Sequence, residues 1–517
     1  MKKRQTIFLI VAIVVLVAVG YFYYSLDNIQ ASPGIGGSKI LFPKQFTKEV
    51  TPTPTLLECI DSDGWDVYTK GNVVADFPSD AGYTTYWDEC VSLDEVKEWV
   101  CQDGHAVALS FDCDFGCFDG ACAPPPWIQE QKLVASDASG GDTLGSSAAI
   151  DGNVAILGAT GNDDLGAASG SAYIYRFDGN NWIEEQKLLA SDGADADKFG
   201  YSVSVSGDVA VVGSPYDDDL GSDSGSVYIY RFDGNEWVEE QKLVAPDGAA
   251  TDRFGRSVSI SNNAIVVGAV ADDWAPCGSN CGSAYVFRFN NLSWVEEQKL
   301  TASDGAPTDY FGGAVSISDN IAVISAYADD DLGSTSGSAY VFLFNGVDWV
   351  EKQKLTASDG AQGDQFGYSV DVSGDVTVIG ANHDSDLGMS FGSAYIFRFN
   401  GVDWVEESKL LTSNGVGGGE FGSTVSVSGN VAVIGAHLND ELGPDTGAAY
   451  VYRFNGIDWT EEQKLASEDI YRFDEFGSAV AVCDDVIVVG AKGEDSGSMT
   501  TGAAYIFRST EEEARDI

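Results

Sequence analysis

A sevenfold repeat of about 55 residues is the feature of this sequence that most restricts its fold. Tryptophans recur at separations of 55, 55, 57, 55, 55 and 55 residues, at Trp127, Trp182, Trp237, Trp294, Trp349, Trp404 and Trp459. A second marker keeps the same step: a Phe-Gly pair at Phe199, Phe254, Phe311, Phe366, Phe421 and Phe476, with Leu144-Gly in the first copy. Such regular self-similarity indicates one supersecondary unit that buries its apolar surface against its neighbours.

The residue pattern within each repeat predicts four β-strands. In the copy that begins at Phe199, FGYSVSVSG alternates small polar and apolar residues, and DVAVVG is a continuous apolar run. SVYIYRF alternates aromatic residues with others, and WVEEQKL mixes apolar and charged residues, as expected of an outer edge strand. Seven four-stranded units predict an all-β fold, a seven-bladed β-propeller over residues 127–508.

The two ends of the repeat region predict how the ring closes. The region opens at Trp127 with WIQEQKL, a fourth strand without its first three. It closes with FGSAVAVCD, DVIVVGA and GAAYIFR, three strands without a fourth. We therefore expect the N-terminal strand to complete the last blade.

The repeat motif resembles a known family. FG, followed about thirteen residues later by GSP, GAV or GAN, resembles the FG-GAP repeat, the blade unit of integrin α-chain propellers. The similarity covers residues 127–508 and is of the type found in bacterial and archaeal surface proteins. The resemblance implies a propeller with one ligand-binding face. Integrin blades carry a DxDxDG calcium loop where this sequence has only SGD, SNN or SDN, so the calcium sites of the family do not carry over.

The N-terminus predicts a membrane anchor in residues 1–24. Lys2, Lys3 and Arg4 precede Ile7–Tyr24, an uncharged run that would span about 27 Å as a helix. Basic residues before the run favour a single-pass orientation with the C-terminal part outside the cell. The alternative is a signal peptide cleaved near Ala18 and Gly20, which would release a secreted protein.

A spacer and a small cysteine module are predicted next. Residues 25–56 are rich in Pro, Thr and Gly and form a linker, and residues 57–123 contain six cysteines. An even number of cysteines outside the cell predicts three disulfides of undetermined pairing among Cys59, Cys90, Cys101, Cys113, Cys117 and Cys122. Zinc binding, with His105, is the alternative. Residues 509–517 form an acidic tail.

The acidic charge excludes one class of partner and marks one face. With 28 Lys and Arg against 80 Asp and Glu, the net charge of −52 excludes a nucleic-acid partner. The loop before the first strand and the loop between the second and third strands lie on one face of a propeller. Their aspartates predict an acidic ligand face at Asp217, Asp218, Asp219, Asp223, Asp329, Asp330, Asp331, Asp384 and Asp386. Three explanations stay open for this acidity: plain solvation, as in a high-salt habitat; calcium, the one candidate cofactor; and a cationic partner.

A few further residues carry individual predictions. Cys277 and Cys281 lie in the one lengthened blade and predict a local disulfide, and Cys483 predicts a buried thiol. Asn291 begins a glycosylation sequon in a predicted turn. His383 and His437 occupy similar loop positions, which we attribute to chance rather than to metal binding.

Two classes of function remain. The first is a cell-surface binding or adhesion protein that presents the propeller to an extracellular protein or glycan. The second is an extracellular propeller enzyme, a lyase or esterase acting on polysaccharide or lipid. An enzyme breaks its repeat symmetry at the active site, and no Ser-His-Asp or Cys-His set is apparent, so the sequence favours the binding protein.

Overall fold

The structure, a computed structural model, describes residues 126–509 apart from 387, 389, 414–418, 468 and 496–499, and the backbone of eight strands between residues 60 and 122. The predicted anchor, the linker and the acidic tail beyond residue 509 lie outside the described residues, as do the side chains of the six cysteines of the small module. Across the described part, no helix has the length and apolar character needed to cross a membrane.

The strands between residues 60 and 122 form three small antiparallel sheets, in the orders β1-β2-β3, β4-β5-β6 and β7-β8. Their bounds are β1 (Ile60–Asp61), β2 (Asn72–Asp76), β3 (Tyr83–Trp87), β4 (Glu89–Ser92), β5 (Glu95–Gln102), β6 (His105–Asp112), β7 (Cys117–Phe118) and β8 (Ala121–Cys122).

The repeats form seven four-stranded antiparallel sheets, which confirms the predicted seven-bladed propeller. After β9 (Trp127–Leu133), blade 1 contains β10 (Leu144–Asp151), β11 (Val154–Ala159), β12 (Ser171–Phe177) and β13 (Trp182–Leu188). Blade 2 contains β14 (Ser202–Ser206), β15 (Val209–Ser214), β16 (Ser226–Phe232) and β17 (Trp237–Leu243). Blade 3 contains β18 (Phe254–Ser261), β19 (Ala264–Ala269), β20 (Ser283–Phe289) and β21 (Trp294–Leu300). Blade 4 contains β22 (Phe311–Ser318), β23 (Ile321–Ala326), β24 (Ser338–Phe344) and β25 (Trp349–Leu355). Blade 5 contains β26 (Phe366–Ser373), β27 (Val376–Ala381), β28 (Ser393–Phe399) and β29 (Trp404–Leu410). Blade 6 contains β30 (Thr424–Ser428), β31 (Val431–Ala436), β32 (Ala448–Phe454) and β33 (Trp459–Leu465). Blade 7 contains β34 (Phe476–Cys483), β35 (Val486–Ala491) and β36 (Ala503–Ser509).

The hydrophobic core lies between neighbouring blades. In one cluster, Val154 and Ile156 of blade 1 pack with Phe199, Tyr228 and Trp237 of blade 2. Every residue of β15 is buried, whereas β17 alternates buried, exposed and half-buried positions, as expected of the outer strand. The repeat tryptophans are buried and belong to these clusters, so they pack neighbouring blades together.

The close approach of adjacent blades explains the FG-GAP motif itself. A Cβ atom on Gly213, the GAP glycine of blade 2, would lie 2.2 Å from the carbonyl oxygen of Gly255, the FG glycine of blade 3. Gly255 also has a φ of +86°, which L side chains rarely adopt. The two glycines therefore belong to one contact between blades.

The N-terminal strand closes the ring as predicted. β9 pairs with β36, with Trp127 opposite Ser509 and Leu133 opposite Ala504. The backbone N–H of Trp127 donates to Oε1 of Gln463 in blade 6 at 2.8 Å, and Nε2 of Gln463 donates to the carbonyl oxygen of Trp127 at 2.9 Å. The same reciprocal link joins consecutive blades elsewhere in the ring, as between Trp237 and Gln186.

Candidate functional site

The acidic loops are held by lysines of the fourth strands. Nζ of Lys242 donates to Asp192 in the loop before blade 2 at 2.8 Å. It also donates to Asp217 at 3.0 Å and Asp219 at 2.6 Å, in the loop between β15 and β16. The hydroxyl of Tyr228 donates to Asp192 at 2.7 Å and to Asp217 at 3.0 Å. We call this lysine with its aspartate partners a lysine clamp.

The clamp recurs around the ring with small variations. Lys354 contacts Asp304, Asp329 and Asp331 at 2.8, 2.9 and 2.5 Å. Lys409 contacts Asp359, Asp384 and Asp386 at 2.7, 2.8 and 2.8 Å. Two-carboxylate versions are built on Lys132, Lys187 and Lys299. The lysine of the predicted outer strand therefore binds the loops of its own blade.

The clamp changes the titration of its members. Burial acts to raise the pKa of Asp192, but the hydrogen bonds from Lys242 and Tyr228 outweigh it and leave this pKa below its usual value. Burial acts to lower the pKa of Lys242, and the three aspartates reverse this and raise it. The pKa of Tyr228 is raised by burial and by the adjacent carboxylates. Asp192 and Lys242 are therefore both charged at neutral pH.

Eight of the nine aspartates of the predicted ligand face fall into three structural roles, and the ninth, Asp223, contributes its backbone N–H. The first of each loop is buried in the clamp, at 3 % exposure for Asp217, Asp329 and Asp384. The third, as in Asp219, reaches the same lysine. The second closes the loop: Oδ1 of Asp218 accepts the backbone N–H of Asp223 at 2.8 Å, and Oδ1 of Asp330 accepts that of Thr335 at 2.7 Å. Among the described residues, no three His, Cys, Asp or Glu side chains are grouped so that they could hold a metal ion.

A second feature lies on the same face, at the centre of the ring. The first strands of all seven blades line a central channel, which widens into a cavity of about 590 Å³. Loop residues such as Thr160, His437 and Lys492, which directly follow second strands, line this cavity, so it opens on the face of the acidic loops. We call this opening the channel mouth.

The channel mouth breaks the repeat symmetry. The position two residues after each first-strand Phe (or Leu144) lines the cavity in every blade. In blade order, these residues are Ser146, Tyr201, Arg256, Gly313, Tyr368, Ser423 and Ser478. One half of the mouth is thus aromatic and cationic, and the other half is lined by small hydroxyl side chains.

Cations and aromatic rings alternate on the first half. Cζ of Arg256 lies 4.7 Å from the ring centre of Tyr201, which packs edge-on against Tyr216 at 6.0 Å. Nζ of Lys198 lies 4.8 Å from the centre of the Tyr216 ring, and Cζ of Arg253 lies 5.5 Å from it. The resulting series runs from the cavity outward over blades 2 and 3.

Three further tyrosines extend this surface over blades 4 and 5. Tyr310 and Tyr327 stack with ring centres 5.6 Å apart, and Tyr327 meets Tyr368 edge-on at 6.1 Å. A Cβ atom on Gly313 would lie 2.6 Å from the Tyr327 ring, so this glycine makes room for the ring. Burial raises the pKa of Tyr327 and Tyr368, which keeps both hydroxyls protonated.

The polar groups of the other half have partners inside the protein. Lys492 pairs with Glu475 at 2.8 Å. His383 belongs to blade 5 and does not line the cavity, and its Nε2 lies 3.4 Å from Glu420. Nδ1 of His437 is hydrogen-bonded to the hydroxyl of Ser423 at 2.9 Å, and burial lowers the pKa of this histidine. The two histidines thus have separate partners and do not form a metal pair.

The cations of the aromatic half have no such partners. Within the part of the propeller that the structure describes, all lysines and arginines pair with carboxylates except Lys198, Arg253, Arg256 and Arg472. Three of these four belong to the series at the channel mouth. In a chain with a net charge of −52, this grouping of unpaired cations sets the mouth apart from the rest of the surface.

Comparison with known families agrees with the repeat geometry. The family model described as "FG-GAP repeat" matches residues 127–175, 182–230, 237–287, 294–342, 349–397, 404–452 and 459–507. The chain belongs to the FG-GAP repeat family. No curated protein matches it in sequence.

Two solved structures are similar to this chain at low sequence identity. The WD40 domain of Neurospora crassa Pan2 is 10% identical, covers 74% of this chain and 95% of its own, and gives a TM-score of 0.43. Saccharomyces cerevisiae Sqt1 is 11% identical, covers 70% of this chain and 83% of its own, and gives a TM-score of 0.39.

One carboxylate lies deep in the channel of the FG-GAP propeller. Asp371 occupies a first-strand position that holds Ser or Ala in the other blades. It accepts hydrogen bonds from the hydroxyls of Ser316 and Ser426 at 2.7 and 3.1 Å and from the N–H groups of Val372 and Val427 at 2.9 and 2.8 Å. Burial raises its pKa against these hydrogen bonds. Serines at this level make the same link between blades, as from Ile260 N–H to Ser204 at 3.1 Å.

The remaining predicted residues have local roles in the FG-GAP propeller. Cys277 and Cys281 form the predicted disulfide, with Cα atoms 6.2 Å apart. Cys483 is a free thiol, half-buried, and its sulfur accepts the Gly152 N–H at 3.5 Å where blades 7 and 1 meet. Asn291 lies exposed in the turn between β20 and β21.

Sequence reasoning missed the channel mouth of the FG-GAP propeller. The predicted ligand face consisted of loop aspartates alone and did not include Tyr201, Arg256 and Tyr368. The available signal was the aligned position two residues after each Phe-Gly phenylalanine, which changes from Ser to Tyr or Arg in blades 2, 3 and 5.

Proposed function

We propose that this protein is a ligand-binding protein of the cell surface, of the adhesion type, and that its FG-GAP propeller binds the ligand at the channel mouth. Residues 1–24 would hold the chain in the membrane, residues 25–56 would act as a stalk, and residues 57–123 would form a small disulfide module before the propeller. Release as a secreted protein after cleavage near Ala18 is the alternative for the same binding function.

The observation that carries this proposal is the local loss of repeat symmetry, which marks a binding site as well as a catalytic one. Elsewhere in the ring, equivalent positions perform equivalent tasks: the clamp lysines, the glycine pairs and the tryptophan–glutamine links recur from blade to blade. At the mouth, equivalent positions carry different side chains, and Tyr201, Arg256 and Tyr368 stand where Ser is compatible with the same fold. A concave site with convergent polar groups is a common form of ligand pocket.

The acidic loops are the weaker candidate for the ligand site. Their carboxylates are engaged by clamp lysines or by loop N–H groups, so a cation would have to displace those partners. We therefore assign the loops to the support of the mouth, which lies on the same face.

An attachment assay tests the proposal. Cells that display the full-length protein are applied to surfaces coated with a panel of matrix proteins and polysaccharides. The test variant combines Tyr201→Ser, Arg256→Ser and Tyr368→Ser, because Ser occupies this position in blades 1, 6 and 7. We expect the wild type to attach to at least one surface and the triple variant to lose that attachment while keeping its melting temperature.

A matched control changes the acidic loops and leaves the mouth intact. Asp218→Asn with Asp330→Asn keeps an acceptor oxygen for each loop N–H, so we expect unchanged attachment. Attachment that survives in the triple variant would refute the mouth as the binding site. Release of cleaved product from a coated polysaccharide or lipid by the wild type would favour the enzyme class instead.

A further inference from the structure

We infer that the channel mouth recognises a single anionic sugar, one saccharide unit bearing a carboxylate or a sulfate, on an otherwise neutral glycan. This rests on the proposed function and specifies the chemical class of its ligand. The inference follows from four properties of the mouth: its unpaired cations, its aromatic faces, its hydroxyl-lined wall and its acidic surroundings.

The unpaired cations call for an anion. Arg256 lines the cavity and contacts the Tyr201 ring, and within the described residues it forms no ion pair. Arg253 and Lys198 flank Tyr216 behind it and likewise lack a carboxylate partner. In the described part of the propeller, every other lysine and arginine except Arg472 is already paired with a carboxylate, so a ligand carboxylate or sulfate is the natural complement to these three. Arginine suits both groups because its planar fork can donate two parallel hydrogen bonds.

The walls of the cavity suit a sugar ring beside that anion. Tyr201 and Tyr368 line one side, and flat aromatic side chains can pack against the C–H face of a sugar. Facing them, Thr143, Ser146, Ser423 and Ser478 line the wall with hydroxyls that are already hydrogen-bonded within the protein. Their remaining lone pairs can accept hydrogen bonds from sugar hydroxyls. The cavity of about 590 Å³ falls within the range of small-molecule sites, about 300–1,000 Å³.

The acidic surroundings limit how much negative charge the ligand can carry. The loops around the mouth contain exposed carboxylates such as Asp218 and Asp330. Repulsion acts over about 8 Å at physiological ionic strength. A chain with a charge on every unit would place its further charges near those loops. A ligand with one acidic unit places its charge at Arg256 alone.

Calorimetric titration of the full-length protein tests this inference. The probes are maltotriose, the same trisaccharide with a terminal uronate, the same trisaccharide with a terminal sulfate, polygalacturonate, and a tripeptide with one aspartate. We expect at least one of the singly acidic trisaccharides to bind more tightly than maltotriose and the tripeptide. Which of the two binds identifies the anionic group. Added salt should weaken this binding and strengthen that of polygalacturonate, because salt screens attraction to Arg256 in one case and repulsion by the loops in the other.

Two arginine variants localise the effect. Arg256→Ser introduces the residue found in blades 1, 6 and 7 and should weaken binding of the acidic trisaccharide by about 10- to 100-fold, the value of a lost charge-assisted hydrogen bond. Binding of maltotriose should change little. Arg472→Ser removes an exposed unpaired cation that does not line the cavity, and it should leave both affinities unchanged.

Several outcomes would overturn the inference. They are equal binding of acidic and neutral trisaccharides, tighter binding of the tripeptide or of polygalacturonate at low salt, no binding of any probe, and insensitivity to Arg256→Ser. The proposed function would survive these results if cell attachment still required Tyr201, Arg256 and Tyr368, the three residues changed in the triple variant. It would fail only if attachment persisted in the triple variant or was absent from the wild type.

Discussion

Nζ of Lys242 lies 3.0 Å from Oδ2 of Asp217, a residue that is only 3 % exposed. The lysine belongs to the fourth strand of blade 2 and the aspartate to the loop between its second and third strands. The negative face of the propeller is therefore partly neutralised from within. Removal of the loop carboxylates should therefore destabilise the propeller, because it would leave half-buried lysines without partners.

Removal of a clamp lysine should destabilise the propeller. Lys242→Met leaves Asp192, Asp217 and Asp219 close together without their cation, and we expect a loss of about 2–3 kcal/mol, somewhat below the value for a fully buried pair. Thermal or urea unfolding measures the loss. The control is Lys352→Met, whose single contact with exposed Asp403 is 3.5 Å long and should be worth less than about 1 kcal/mol. Equal losses in the two variants would contradict the clamp.

Calcium should stabilise the propeller no more than a monovalent salt does at matched ionic strength. Clamp aspartates such as Asp217 and Asp329 are already held by lysines. Screening of the repulsion between the remaining carboxylates does not depend on which cation supplies it. Melting temperatures in calcium chloride and sodium chloride provide the comparison. Combined Asp→Asn changes at 217, 219, 329 and 331 should lower stability in both salts. Pure repulsion between the carboxylates would predict a rise, and a calcium-specific rise lost in the Asn variant would show a calcium site.

The propeller should be more stable at mildly acidic than at alkaline pH. Burial and nearby carboxylates raise the pKa of Asp197, Asp252 and Asp309 to about 6 in the folded state. The folded chain thus holds more protons than the unfolded chain between pH 4 and 6, so stability falls as the pH rises through this window. Below it, protonation of clamp aspartates with lowered pKa, such as Asp192, should reverse the trend.

Melting temperatures between pH 3 and pH 8 measure this profile. Changing Asp197, Asp252 and Asp309 to Asn keeps an acceptor for the loop N–H groups that they bind and removes their titration. The slope between pH 5 and pH 7 should become shallower in this variant. An unchanged slope would mean that other groups control the pH dependence.

Two substitutions at the junction between blades 4 and 5 should increase the stability of the propeller. In most blades a fourth-strand glutamate accepts the Nε1–H of the next tryptophan and pairs with an arginine, as Glu297 does with Trp349 and Arg288. Blade 4 has Leu343 and Lys352 at these positions, and within the described residues Trp404 Nε1 is buried without a partner. Leu343→Arg with Lys352→Glu should stabilise the protein by about 1 kcal/mol.

The reciprocal exchange is the control for that junction. Arg288→Leu with Glu297→Lys transfers the blade 4 residues to blade 3 and deprives Trp349 Nε1 of its acceptor. A loss of about 1–3 kcal/mol is expected, measured by urea unfolding. Stability changes of the same sign in both exchanges would refute the assigned role of this interaction.

Ring closure should depend on residues 127–133. Deletion of residues 1–134 removes β9, exposes the edge of β36 and removes the partners of Gln463. Deletion of residues 1–123 keeps β9. We expect a clearly lower melting temperature for the longer deletion alone. Identical melting curves for the two truncated proteins would show that β9 does not contribute to closure.

Sequence alone was sufficient to predict the number of blades, the four strands in each blade and the closure of the ring by the N-terminal strand. These features follow from period-two patterning and from a repeat whose markers stay in phase from Trp127 to Phe476, signals that are local and additive. Sequence also predicted the disulfide between Cys277 and Cys281, because the two lie only four positions apart.

Which charged side chains pair with each other depends on the tertiary structure. Lys242 lies 50 residues from Asp192 and 25 from Asp217, and pairing over such distances depends on how strands and loops fold back within a blade. The channel mouth combines single residues from blades that are far apart in sequence, from Lys198 to Tyr368, and no local pattern links them. The repeat determines the strands and contacts that all seven blades share. The channel mouth consists of positions at which the blades differ, and closure of the ring brings those positions together.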